Sequence, residues 1–171
     1  MAKATHHEDT VFTPSPKLRQ GALVIAVTGI GLVGYGLTFL YSTYFGTGFE
    51  LGVTTLGGTS RAELAATNPE MLHYMDHLHI GLGGLLAALG IAIVALAWYG
   101  IQEGHQWALT TTLVIAVIAL ATNFVVHFDP GFGYDWLVHI APSILMTVLV
   151  IGGVGWAYQG LRAGEVADSG R

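Results

Sequence analysis

The sequence contains no cysteine. Disulfides, thiolate metal sites, iron–sulfur clusters and a cysteine nucleophile are therefore all excluded, and histidine and carboxylate remain as the strong ligand types. Charge is scarce as well: Asp, Glu, Lys and Arg make up 10% of the 171 residues, against about 25% in an ordinary soluble domain. Only six residues are Lys or Arg and the net charge is -5, so the basic face that nucleic-acid binding requires is missing. Recognised catalytic patterns are missing too, since the chain has no HExxH, no GxSxG and no phosphate-binding loop.

What the sequence has instead is apolar length. Hydrophobic residues make up 53% of the chain, and they fall in four runs: Gly21 to Phe45, Met71 to Tyr99 with its apolar body from Ile80, Trp107 to Val126, and Trp136 to Tyr158. A helix of about 20 residues crosses the roughly 30 Å hydrocarbon layer, so each run is long enough to span. The expected fold is an all-α, four-helix transmembrane bundle with no room for a soluble domain. Residues 1–20 read as a flexible arm, 46–70 as a long loop and 159–171 as a tail. The arm is too long and too acidic for the charged part of a signal peptide, so the first helix is expected to stay. His6 and His7 in that arm are given no role.

Five of the basic residues, Lys3, Lys17, Arg19, Arg162 and Arg171, lie near the two termini, and Arg61 alone falls in a loop. The positive-inside rule then places both termini in the cytoplasm of a multi-pass cell-membrane protein, with the 46–70 loop outside. Trp98, Tyr99 and Trp107 flank the inner turn as interfacial anchors, and His105 between them is expected to be solvated. In the loop, Ser60 and Glu63 have capping-box spacing. Asn68 followed by Pro69 is a sharper helix start, because proline's missing N–H and fixed backbone angle suit the first helical position.

The first run holds TGIGLVGYG, a superficial match to a dinucleotide fingerprint. That motif needs a preceding strand and a helix opening at its glycines; here the glycines lie inside an apolar helix, where small residues let backbones approach. GLGGLLAALG and GGVG repeat the pattern in the second and fourth runs. A closely packed bundle with little room for a large central cavity is expected.

The chemistry-bearing stretch is HYMDHLHIG, residues 73–81, at the head of the second run. Ionisable groups within a membrane are costly and mark function by default, but the cost is smaller near the headgroups. With the N-terminus inside, three helix ends meet on the outer face: His73, Asp76, His77 and His79 from the second, His127 and Asp129 from the third, Asp135 and His139 from the fourth. On a helix His73, Asp76 and His77 share a face, while His79 lies about 200° around from His77. The candidate metal set is His73, Asp76, His77, His127, Asp129 and His139, for Zn, Cu or Fe, with a carboxylate as ligand or as orienter of a ring. A haem b would use the same residues otherwise, with His77 and either His127 or His139 as axial ligands. A third use is a proton or quinone site, in which imidazoles near the interface exchange protons with a quinol headgroup. The bland account is interfacial polarity, with Asp135 and Glu70 serving as helix caps. Asn123 lies one turn before His127, and Pro142 and Ser143 are expected to kink the fourth helix just after His139.

Three stretches carry a resemblance: NPEMLHYMDHLHIG, AWYGIQEGHQWA and VHFDPGFGYDWLVH, spanning roughly residues 68–140. They resemble a class of small four-span prokaryotic membrane proteins without an assigned activity; DoxX-type bundles are similar in size and topology only. The resemblance implies the fold and the membrane and no reaction. Two functional classes stand: an accessory subunit of a membrane complex, or a homo-oligomer, packing through small-residue helix faces in the lipid bilayer; and a redox or metal-dependent protein built on the outer histidines. Transport is a distant third, because no charged residue falls near the bilayer midplane.

Overall fold

The computed structural model describes residues 13–127 and 133–169. Helix α1 runs Pro16–Phe45, a hairpin pairs β1 (Thr55–Leu56) with β2 (Thr59–Ser60), and a short α2 follows at Arg61–Thr67. Helix α3 spans Pro69–Ala95 and widens into a π-helical turn at Leu96–Ile101; α4 is Gln106–Val126; α5, Ala141–Ser169, is preceded by a second π-helical turn at Trp136–Ile140. The chain is a helical protein with four helices long and apolar enough to cross a membrane. Leu23, Ile30, Leu37, Leu85, Ile91, Val117, Ile118, Leu145, Val148 and Ile151 all point outward along them. An exposed apolar surface of that extent suits lipid, since soluble monomers rarely expose contiguous apolar patches beyond a few hundred Å².

Helix starts follow local chemistry. Ser15 accepts a hydrogen bond from the Leu18 N–H with Pro16 opening α1, and Asn68 accepts from the Met71 N–H with Pro69 opening α3. At α2 the capping box is complete: the Ser60 hydroxyl accepts from the Glu63 N–H, and the Glu63 carboxylate accepts from the Ser60 backbone N–H at 2.8 Å. The hydrogen bonds from the Ser60 backbone and hydroxyl hold the exposed Glu63 carboxyl below its ordinary range. A lowered folded value means this support is present above the unfolded value and is lost as pH falls through the folded one. Amide-exchange protection of α2 relative to α3 should therefore drop as pH falls below the ordinary Glu value of 4.5. In S60A that drop should be absent; an identical drop would show that the box does not hold α2.

Helix α1 lies between α3 and α5, and both contacts are made through glycine. A methyl group built at Gly36 would lie 2.5 Å from the Gly83 carbonyl oxygen, and one at Gly90 2.5 Å from the Gly29 oxygen. On the other side Gly153 and Gly160 meet Gly21, Ile25 and Leu18 in the same way. The small-residue faces expected to receive partner helices are in large part used within the chain.

The buried core gathers at the base of the bundle, where α1 begins and α5 ends: Leu18, Ala22, Ile25, Ala97, Ile101, Ala108 and Ala157 form one cluster. Ser15 donates to the Gly160 carbonyl at 3.2 Å and Lys17 to the Gln159 side chain at 2.8 Å, tying those ends together. Helix α4 joins this core only at its start, through Ala108, Leu109 and Thr112. Beyond Thr112 no residue of α4 whose side chain is described is buried. Toward the other end, where the 46–70 loop lies, the space between α4 and the α1–α3–α5 layer stays open. The expectation of little internal room is thus overturned: a cavity of about 660 Å³ lies among the four long helices. Glycines tighten α1 against α3 and α5, but none of the close glycine contacts draws the upper part of α4 in.

Candidate functional site

The cavity has an apolar body and a polar end. Leu32, Leu82, Leu86, Leu89, Ile93, Ile115, Leu120, Met146 and Val150 line the body, and Tyr35, Glu50, Asn123, His127 and His139 line the loop end. From Thr112 to His127 the wall follows α4 for 15 residues, about 22 Å at 1.5 Å per residue. No Lys or Arg is among the lining residues.

His139 is 5% exposed and is held from several sides. Pro142 has no N–H to offer the Val138 carbonyl four residues back, so the regular ladder cannot run through this point. The chain takes a π-helical turn instead, with the Ala141 N–H bonded to the Trp136 carbonyl. π turns recur at functional positions because they re-aim side chains. The Asp135 carboxylate caps the turn through the Val138 N–H at 2.9 Å, as its helix-start position suggested. The loop after α1 closes over His139: Asp135 N–H donates to the Gly52 carbonyl at 2.9 Å, and the His139 Nδ1–H donates to the Leu51 carbonyl at 2.9 Å. Gly52 has φ +79°, and a Cβ there would lie 3.1 Å from the His139 Cβ. Both the backbone angle and the close approach demand glycine.

His127, at the end of α4, faces His139 with Nε2 to Nε2 at 3.0 Å. Its Nδ1 lies 2.7 Å from the Asn123 carbonyl. Tyr134 packs its ring against both imidazoles, 5.6 and 5.1 Å between centroids, and donates its hydroxyl to the His127 carbonyl at 3.1 Å. A carbonyl oxygen only accepts, so in both rings Nδ1 carries a hydrogen. A hydrogen bond at this distance uses one Nε2 as donor and the other as acceptor, so the two rings bring one N–H and one lone pair to the polar end of the cavity.

The structure brings His127 and His139 together and separates the rest of the expected set. His73 and His77 are exposed on α3. Asp76 forms an ion pair with Arg61 at 2.7 Å in place of a contact with a histidine ring. Asp129 lies outside the described residues, as do His6 and His7. Among the described residues no three His, Cys, Asp or Glu side chains are grouped to hold a metal ion. Haem ligation would pair His77 with His127 or His139, but His77 is exposed on α3 while His127 and His139 face each other, so haem binding is without support. His79 does lie apart from the His73 and His77 face, but it is the more buried ring, edge-on to Phe39 at 5.8 Å between centroids. The reason is the packing of α3: Gly83 and Gly90 turn one face onto α1, and His79 lies on that face, one turn before Gly83. His105 is exposed and stacked on Trp107.

Glu50 and Tyr35 join the site without a spacing that could have singled them out. Glu50 sits in an irregular loop, and an isolated bridge between Glu50 and Val53 turns it back over the cavity. Tyr35 is an aromatic residue within an apolar helix, with no periodicity to single it out. No protein-family model, curated protein or solved structure matches this chain.

Proposed function

We propose that this chain is a membrane protein that binds an amphiphile inside its bundle, with both termini in the cytoplasm and the polar end of the cavity toward the outer face. The observation that supports this reading is the cavity itself. Its volume of about 660 Å³ lies within the roughly 300–1,000 Å³ of small-molecule sites, which combine a predominantly apolar lining with a few convergent polar groups. The apolar body takes a hydrocarbon tail, and the His127–His139 pair with Tyr35, Glu50 and Asn123 takes the headgroup. This develops the proton and quinone use of the histidines and leaves the metal and haem uses without support.

The accessory-subunit reading draws on a different observation. Gly81 and Gly84 on α3 and Gly152 and Gly155 on α5 have open space where a side chain would stand, which lets a partner helix approach closely.

One experiment tests both readings. Native mass spectrometry of the full chain released from membranes should show a bound small molecule of amphiphile mass. In A116F, which places a ring in the cavity from α4, that added mass should be lost while the helical circular dichroism is kept. A stoichiometric added protein mass that A116F leaves in place, with no small molecule on either form, would favour the accessory subunit and end the amphiphile reading.

A further inference from the structure

Resting on the amphiphile reading, we propose that the headgroup bound at the His127–His139 pair is a neutral quinone-type ring, whose oxygen takes the place of one imidazole in the hydrogen bond between them.

Charge narrows the headgroup first. The cavity has no Lys or Arg in its lining and carries the Glu50 carboxylate at its polar end, so a phosphate would meet like charge with no guanidinium or ammonium to hold it. Phospholipid headgroups are disfavoured on that ground. A neutral headgroup meets no such conflict.

Shape and hydrogen bonding narrow it further. The walls at this end are rings: Tyr35 lies edge-on to Phe39 at 5.2 Å between centroids, and His127 lies 5.1 Å from His139, with Tyr134 packed behind both imidazoles. Such a set accommodates a flat ring by stacked and edge contacts. The pair presents one N–H and one lone pair, so it can donate to a carbonyl oxygen or accept from a hydroxyl. A ring that exists in carbonyl and hydroxyl forms is matched by these two atoms in both: the carbonyl accepts from the N–H, and the hydroxyl donates to the lone pair.

The two histidines differ in freedom, which is what an exchange of partners requires. His139 is fixed by the Leu51 carbonyl, Gly52 and the π-helical turn. His127 is half-buried and ends a helix anchored mainly at its far end. A rotation of the His127 ring turns its Nε2 from His139 into the cavity, while His139 keeps its place. No electron transfer is involved; binding exchanges one hydrogen bond for another.

The test compares two probes of equal tail length on the full chain in nanodiscs: decylubiquinone, and decylbenzene, which has the ring and tail without oxygen. Only decylubiquinone carries an oxygen for the imidazole, and a hydrogen bond gained by exchange is worth about 0.5–1.5 kcal/mol, so decylubiquinone should bind at least about threefold more tightly. In H127F the ratio of the two affinities should fall to about one. ¹⁵N imidazole resonances of the unaltered protein give a readout that survives a poorly folded variant: His127 should shift with decylubiquinone and not with decylbenzene. Equal affinities for the two probes, or a His127 resonance unmoved by decylubiquinone, would overturn the headgroup assignment. A116F separates that failure from failure of the cavity reading. If it weakens both probes the cavity is the site and only the headgroup is wrong, and if it weakens neither the cavity reading itself falls.

Discussion

Leucine in place of Gly36 or Gly90 should prevent α1 and α3 from docking, whereas leucine in place of Gly34 or Gly81 should be tolerated. At the first pair of positions the atoms that a side chain would strike are backbone: the Gly83 oxygen and Ala87 nitrogen for Gly36, the Gly29 oxygen and Val33 nitrogen for Gly90. Backbone cannot rotate away as a flexible side chain can, so the helices must separate, and every contact along their shared face is loosened together. Overpacking ordinarily costs about 1–3 kcal/mol, and a clash of two helix backbones belongs at or beyond the top of that range. For a chain of this size that corresponds to a fall of about 6 °C or more in the midpoint. At Gly34 and Gly81 there is nothing within 4 Å, and leucine is the better helix former by close to 1 kcal/mol. The measurement is the temperature at which half of each variant remains monodisperse in detergent. Similar losses at all four positions would mean that glycine is needed for helix flexibility and not for close approach.

Glycine spacing was legible in the sequence as a sign of tight helix contacts, and so were the four long helices, because apolar length and the cost of burying charge in lipid leave few alternatives. The capping box at Ser60 and Glu63 and the helix start at Asn68 and Pro69 were legible for a different reason: they are satisfied by atoms three or four residues away. What could not be read was which glycines face which neighbour. Gly36 and Gly34 are two residues apart in one motif, yet one is pressed on α3 and the other faces outward. The cavity follows from that unequal distribution, since α1, α3 and α5 draw together and α4 is left anchored at its base.

The histidines divide along the same line. His127 and His139 were correctly placed near one another because their helix ends are joined by a short turn. His73 and His77 were grouped with them on the strength of a helical face, and a helical face states which residues point together but not at what. The rotation of α3 is set further along by Gly83 and Gly90, and it turns Asp76 and His79 inward and His73 and His77 outward. Arg61, at the start of α2, then supplies a partner for Asp76 that spacing within α3 could not reveal.

That ion pair carries the other large expected effect. Arg61 Nη2 bonds both the Asp76 carboxylate at 2.7 Å and the Thr43 carbonyl at 3.1 Å, so one guanidinium joins the end of α1, the start of α2 and the head of α3. The side chains are 14% and 23% exposed, and Arg61 Nη1 and Asp76 Oδ1 are buried with no hydrogen-bond partner. The pair therefore bears a desolvation penalty that its single short bond offsets only in part. Removing one member leaves the other charge with no compensation: the cost is about 3–5 kcal/mol for a fully buried pair, and partial exposure lowers it here to about 1–3 kcal/mol. D76A should accordingly lower the midpoint and release α2, seen as faster amide exchange from Arg61 to Thr67. Replacing both members by apolar residues of similar size removes the penalty along with the bond, which is often neutral or stabilising. R61M/D76L should then recover most of the stability lost in D76A while α2 exchange stays fast, since the bond to the Thr43 carbonyl is gone as well. A double variant no more stable than D76A would show that the ion pair stabilises outright and that its two unpaired atoms cost little.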